Sequence, residues 1–87
     1  MANYKLEFKA SVAKDLRSIP KKDVKRILNK IETLVENPRP VGSQKLTSQE
    51  KYRIRQGAYR IIYEILDSKL IVLVVKAGHR REIYKDS

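Results

Sequence analysis

The 87-residue chain contains no cysteine, which excludes disulfides, thiolate nucleophiles and cysteine-ligated metals. Its one histidine, His79, is too few for a histidine-based metal site. Glycine and proline number three each, far below what long disordered tracts carry. No apolar run approaches the ~20 residues of a membrane-spanning helix. The basic residues are not gathered on one amphipathic helix, which disfavours a membrane surface as partner. The first residues, MANYKLEFKAS, lack the apolar core of a secretory signal, so the cytoplasm is the expected compartment. Also missing are a Walker-type glycine loop, a carboxylate cluster suited to magnesium and a nucleophile elbow. No metal site and no cofactor are expected.

What is present is charge of one sign. Twenty Lys and Arg stand against ten acidic residues, a net +10. Such a field draws nucleic acid or an acidic protein. With 41% hydrophobic residues the composition is that of an ordinary globular protein, expected as a single domain over residues 1–87. A chain this short buries only about 60% of its unfolded surface, so its core must be simple.

Tyr4, Leu6 and Phe8 alternate with charged residues as in a half-buried strand. Val12, Leu16 and Ile19 then recur at helical spacing, with Ser11 as a candidate cap. Pro20 ends this helix or opens the next. In the second helix Val24, Ile27, Leu28, Ile31, Leu34 and Val35 form one apolar stripe, and Asn37-Pro38 stops it. A loop over 37–49 follows, with Leu46 its one buried-looking residue. Three strands are expected near 51–56, 59–66 and 69–77, with Asp67-Ser68 as the second tight turn. Apolar residues at every position from Leu70 to Val75 mark the last strand as interior. The order predicts an α+β fold, a two-helix hairpin packed on a mainly antiparallel four-stranded sheet, β-α-α-β-β-β.

The stretch KYRIRQGAYR, Lys51 to Arg60, carries the strongest functional signal. Gly57 suits the first central position of a type II′ hairpin turn. That register sets Arg55 across from Arg60, with Arg53, Arg55 and Arg60 on one face. Continued onward, it sets Tyr63 against Val72, Ile61 against Val74 and Arg60 near Val75. Like charges directly opposite are unfavourable unless an anion sits between them. The tail Gly78-His79-Arg80-Arg81-Glu82-Ile83-Tyr84 should emerge beside this cluster, with Arg60 and Arg80 at the surface.

Convergent guanidinium groups suit a phosphate, which their planar forks bind in bidentate fashion. Phosphodiester cleavage in RNA can proceed without a metal because the 2′-hydroxyl is an internal nucleophile. The products are a 2′,3′-cyclic phosphate and a 5′-hydroxyl. Tyr84 could stack on a base or move a proton. Lys21, Lys22, Lys25, Arg26, Lys51 and Arg81 are candidate contacts to an RNA or ribosome backbone.

In the order of its elements, the Lys45-Leu46 loop, Tyr52-Arg53-Ile54-Arg55, Gly57-Ala58-Tyr59-Arg60-Ile61-Ile62-Tyr63 and the Gly78 to Tyr84 stretch, the chain resembles the RelE/ParE toxin superfamily. The likeness is closest to the RelE branch and covers essentially the whole chain. It implies a type II toxin that cuts messenger RNA in the ribosomal A site and is neutralised by a RelB-like antitoxin wrapping around it. Partners would then be the antitoxin, the ribosome with its ribosomal RNA, and messenger RNA. By resemblance, Arg60 and Arg80 match the family's phosphate-stabilising arginines, and Tyr84 matches its stacking tyrosine. His79 falls where many relatives carry a histidine. Arg53 and Arg55 stand where RelE-like enzymes often have lysines. A lysine at the Arg55 position is the proposed base in the best-known pattern, and a guanidinium does not readily release its proton. The base expected here is therefore His79, ahead of Glu50 or Glu82. The sequence runs three residues past Tyr84, so the further C-terminal helix of some relatives is not expected. Two rivals remain: a ParE-like inhibitor of DNA gyrase, and a basic module that binds ribosomal or other RNA without cutting it.

Overall fold

Both helices form where the apolar spacing requires them. In the computed structural model, which describes residues 3–46 and 50–79, α1 spans Ala10–Arg17 and α2 spans Lys21–Thr33. Val12 of α1 and Ile27 and Ile31 of α2 are fully buried, and Val24 and Leu28 pack at the margin of the core. Pro20, extended at φ −55° and ψ 140°, is the N-cap of α2, where its missing N–H costs nothing. Ser11 is not a cap. The N-cap of α1 is Lys9, without a side-chain capping bond, and Ser11 lies within the first turn. α2 ends at Thr33, a turn before Asn37-Pro38, with Leu34 as its C-cap.

The strands are β1 (Lys5–Phe8), β2 (Gln44–Lys45), β3 (Lys51–Gln56), β4 (Tyr59–Leu66) and β5 (Ile71–His79). They form one sheet in the order β1-β5-β4-β3-β2, with β1 parallel to β5 and the rest antiparallel. The sheet thus has five strands rather than four, because two residues of the 37–49 loop pair with Arg53 and Tyr52. Leu46, beside that pair, is 36% exposed rather than buried. As expected, β5 is an interior strand, between β1 and β4.

Helix α1 lies over β5, and α2 over β3 and β4. The core fills the space between, with Tyr52, Ile54, Ile61, Tyr63, Ile65, Val72, Val74 and Ala77 facing the helices. Burial of apolar side chains at about 25 cal/mol per Å² is the main force holding the layers together. Tyr63, fully buried, donates its hydroxyl to the Pro38 carbonyl at 2.6 Å and stacks on Tyr52 with ring centroids 5.9 Å apart. Burial pushes its phenol up to about 12, so it stays a neutral donor.

The second turn differs from the tight Asp67-Ser68 expectation. A 3-10 turn, Asp67–Lys69, is followed by Leu70 at φ 54°, and β5 begins only at Ile71. A left-handed leucine is strained. It is fixed by pairing, since its carbonyl accepts from Lys5 N–H at 2.6 Å and its own N–H reaches Asp67 O at 3.2 Å. The longer turn sets Tyr63 against Val74 in place of Val72, and a further one-residue shift between Ile62 and Tyr63 sets Ile61 against Ala77 in place of Val74.

Candidate functional site

Gly57 takes φ 60° at the first central position of the β3–β4 turn, as a type II′ hairpin requires. Arg55 therefore lies directly across from Arg60, and Arg53 across from Ile62. Directly opposite residues share a face with Cβ atoms about 4.5–5.5 Å apart. Tyr52 and Ile54 turn to the helices, so Arg53 and Arg55 occupy the other face, where neither helix lies. The two opposed arginines are not equivalent. Arg55 is exposed, whereas Arg60 is only 2% exposed, contrary to its expected surface position. Gly78, the residue across from Arg60 on β5, has no side chain to compete for that space.

A β-bulge between Ile62 and Tyr63 decides what joins this face. Tyr63 pairs with Val74 but Ile62 pairs with Lys76, leaving Val75 as the extra residue on β5. One extra residue reverses the alternation beyond it. Ala77 consequently enters the core, and Lys76 and Gly78 fall on the arginine face. Asp15 of α1 accepts a hydrogen bond from Ala77 N–H at 3.3 Å, which ties the helix to the bulged segment. Lys76 was missed from the sequence. The only signal for it is the break in burial at Val75-Lys76, invisible in a run where every preceding residue is apolar.

The same bulge takes His79 away from the arginines. His79 pairs with Tyr59 and meets its ring edge-on, centroids 5.9 Å apart, on the helix side of the sheet. There it lines a cleft of about 320 Å³ with Asp23 and Arg26 of α2 and the hairpin turn. A phosphate held by Arg55 and Arg60 would be on the opposite face, so His79 is not positioned as its base. Arg80, Arg81, Glu82 and Tyr84 lie outside the described residues.

Lys51 stands at the far end of the arginine face, across from Glu64. Lys21, Lys22, Lys25 and Arg26 are exposed on α2, on the other side of the sheet. Because β2 pairs only as far as Arg53, the edge of β3 from Ile54 onward has no strand beside it among the described residues. A cleft of about 380 Å³ opens there, lined by Lys30, Val41, Gln44, Arg53 and Arg55. Arg53 donates to the Gln44 side-chain oxygen, which orients its guanidinium along this edge. Among the described residues, no group of three His, Asp or Glu side chains could hold a metal ion, and no helix is long and apolar enough to cross a membrane.

Glu50, the other candidate base, is engaged elsewhere. It accepts from Tyr52 hydroxyl at 2.7 Å and from Arg39 at 3.2 Å. The Tyr52 bond, with Lys45 and Arg39 nearby, holds its carboxyl below the ordinary glutamate range. Arg39 also binds Asp67 at 2.8 Å, and Asp67 accepts from Tyr4 at 2.7 Å. This knot joins β1, the 37–40 loop, β3 and the β4–β5 turn. It is a clasp at the end of the sheet remote from the hairpin tip.

Over residues 6–84 the chain matches the family described as the ParE toxin of type II toxin–antitoxin systems, parDE. It is 32% identical over 87 residues to RelE1 of Methanocaldococcus jannaschii, covering 95% of this chain and 97% of that protein. To the mRNA interferase toxin RelE of Escherichia coli it is 27% identical over 89 residues, covering 97% of this chain and 93% of that one. Among solved structures, the archaeal RelE–RelB complex from Pyrococcus horikoshii superposes with a TM-score of 0.77 at 28% identity, covering 92% of this chain and 97% of that one.

Proposed function

Since the chain belongs to the ParE toxin family of type II toxin–antitoxin systems, with RelE relatives alike along its whole length, we propose that it is an endoribonuclease that cuts messenger RNA in the ribosomal A site. The observation that carries this reading is the opposition of Arg55 and Arg60, flanked by Arg53 and Lys76, on the sheet face that carries no helix. Four cations around one point stabilise the crowded, doubly charged phosphorane through which a 2′-oxygen displaces a 5′-oxygen. The cut leaves a 2′,3′-cyclic phosphate and a 5′-hydroxyl. Arg80 and Tyr84 complete the site in this reading, as a further phosphate contact and a stacking platform.

Among the described residues of this face, the side chains are cations, Glu7, Glu64, Gln44 and apolar groups. Glu64 is paired with Lys51, and Glu7 lies on the edge strand β1 away from the arginines, so neither is placed beside them as a base for the 2′-hydroxyl. The substrate must then be aligned, and its proton accepted, with the help of the ribosome. Activity is accordingly confined to translating ribosomes in the cytoplasm, with a RelB-like antitoxin as the neutralising partner.

Primer extension on a message during cell-free translation tests this. New ends inside codons at the A site are expected with the wild-type protein, and neither with Arg55→Ala nor on naked RNA. An intact message with translation running would favour gyrase inhibition, a reading the ParE description of the family supports, and a supercoiling assay would then decide.

A further inference from the structure

We propose that Lys76 is a catalytic residue of this site, the general acid that protonates the departing 5′-oxygen. The proposal rests on the ribonuclease reading above and adds a group that neither the family likeness nor the sequence pattern supplies.

The arginines of this face cannot carry out the proton transfer. A guanidinium stabilises charge but does not part with its proton, so Arg53, Arg55 and Arg60 leave proton transfer undone. An ammonium is a compact donor on a flexible four-carbon stem and releases a proton far more readily. Among the described residues, three lysines of the strands stand on the helix-free face: Lys5, Lys51 and Lys76. Lys5, paired with Ile71 on the edge strand β1, is remote from the arginines. Lys51, paired with Glu64, is four residues along β3 from Arg55. Lys76 is paired with Ile62, one diagonal step from Arg60. Diagonal neighbours have Cβ atoms no more than about 7–8 Å apart, within reach of long side chains.

The placement of Lys76 is a product of the bulge. Without the extra residue at Val75, Lys76 would share the helix side with Val74, and the apolar Val75 would take its place. Bulges next to active sites commonly serve to re-aim a side chain. Here one brings a proton donor to a face otherwise furnished with guanidinium groups, with Asp15 anchoring the following residue, Ala77. Gly78, across from Arg60 and next after Lys76 on this face of β5, puts no side chain between them.

The 2′-oxygen attacks phosphorus and gives its proton to an acceptor supplied with the ribosome, as in the reading above. The 2′-O–P bond forms, the P–O5′ bond breaks, and Nζ of Lys76 delivers its proton to the 5′-oxygen, to be reprotonated from solvent.

The test compares two messages on programmed ribosomes, one natural and one with sulfur in place of the bridging 5′-oxygen at the cut. A sulfur leaving group departs without protonation. Lys76→Met should slow cutting of the natural message by about 10²–10⁴-fold, the range of general acid catalysis. On the sulfur message it should stay within about tenfold of wild type, a difference of no more than ~1.4 kcal/mol in barrier. Lys76→Arg, which keeps the charge, should behave like Lys76→Met and carries the test should the methionine variant not fold. Arg55→Ala should lose both messages. Equal slowing of both messages by the Lys76 variants, or no slowing of the natural one, overturns the proposal. Wild-type protein that cuts neither message overturns the ribonuclease reading along with it.

Discussion

On the side of the β3–β4 hairpin that meets the helices, Tyr52, Ile54, Ile61 and Tyr63 are at most 7% exposed and share one apolar core. One residue along each strand, the other side carries Lys51, Arg53, Arg55 and Arg60. The first arrangement lowers the free energy of the chain by removing apolar area from water. The second raises it where Arg55 and Arg60, like charges, face one another across the strand pair, whereas Lys51 faces Glu64. In the function proposed above, the polyanion that compensates for it lies outside the fold. On that proposal, stability and function are separated by the two-residue period of a strand, and a bulge in β5 shifts that period so that Ala77 enters the core and Lys76 the cationic side.

The comparison breaks most severely from the core side. Ile61→Ala empties a fully buried position and should cost about 2–5 kcal/mol, a large part of a small domain's stability. Urea titration should show the lowered midpoint, and activity should fall in step with the folded fraction. Gly57→Ala meets no atom within 4 Å but must hold φ 60°. That strain should cost about 1–2 kcal/mol and weaken the turn that opposes Arg55 to Arg60. Asp15→Ala removes the bond to Ala77 N–H and should cost about 1 kcal/mol. If Asp15 secures the bulge, cutting should fall beyond what the lost stability explains, and amide exchange at Lys76 and Ala77 should quicken.

A gentler probe is acid. Arg39, followed by Tyr4, holds the Asp67 carboxyl below its ordinary range, and the Tyr52 hydroxyl does the same for Glu50. For a lowered carboxylate, the linked stability is complete above the unfolded pKa of about 4 and is lost as pH falls through the folded value. Thermal melts between pH 7 and pH 2 should therefore decline in the acid limb. Asp67→Asn should flatten that decline while leaving neutral-pH cutting unchanged. The smallest effect is expected at His79, which faces Tyr59 rather than the arginines. His79→Ala should alter cutting by less than about threefold, under ~0.7 kcal/mol.

Much of this was legible in the sequence, and the failures share a cause. The β3–β4 hairpin was readable because Gly57 announces its turn and Lys51 to Gln56 alternate cleanly. The α2 stripe was readable because Ile27, Ile31 and Leu34 keep a helical period. The β4–β5 register was not, since Leu70 to Val75 are all apolar and any slip buries as much. Nothing in a leucine announces a left-handed conformation, so the longer turn at Leu70 was hidden. With the register went His79 and Lys76, exchanged between faces by one residue. The two-residue β2 and the Arg39 clasp depend on partners far along the chain, which local pattern does not record. Burial of Arg60 is likewise a tertiary fact.

Arg55 offers the most direct test of the separation, being exposed and opposite Arg60. One preparation of Arg55→Ala should be measured twice, for its urea midpoint and for its initial rate of A-site cutting. A midpoint within about 0.5 kcal/mol of wild type is expected, as for an exposed substitution. The rate should fall by about 10²-fold or more, as when a charge-stabilising donor is removed. Cutting retained within a few-fold, or lost only in proportion to unfolding, would contradict the assignment of this face to function.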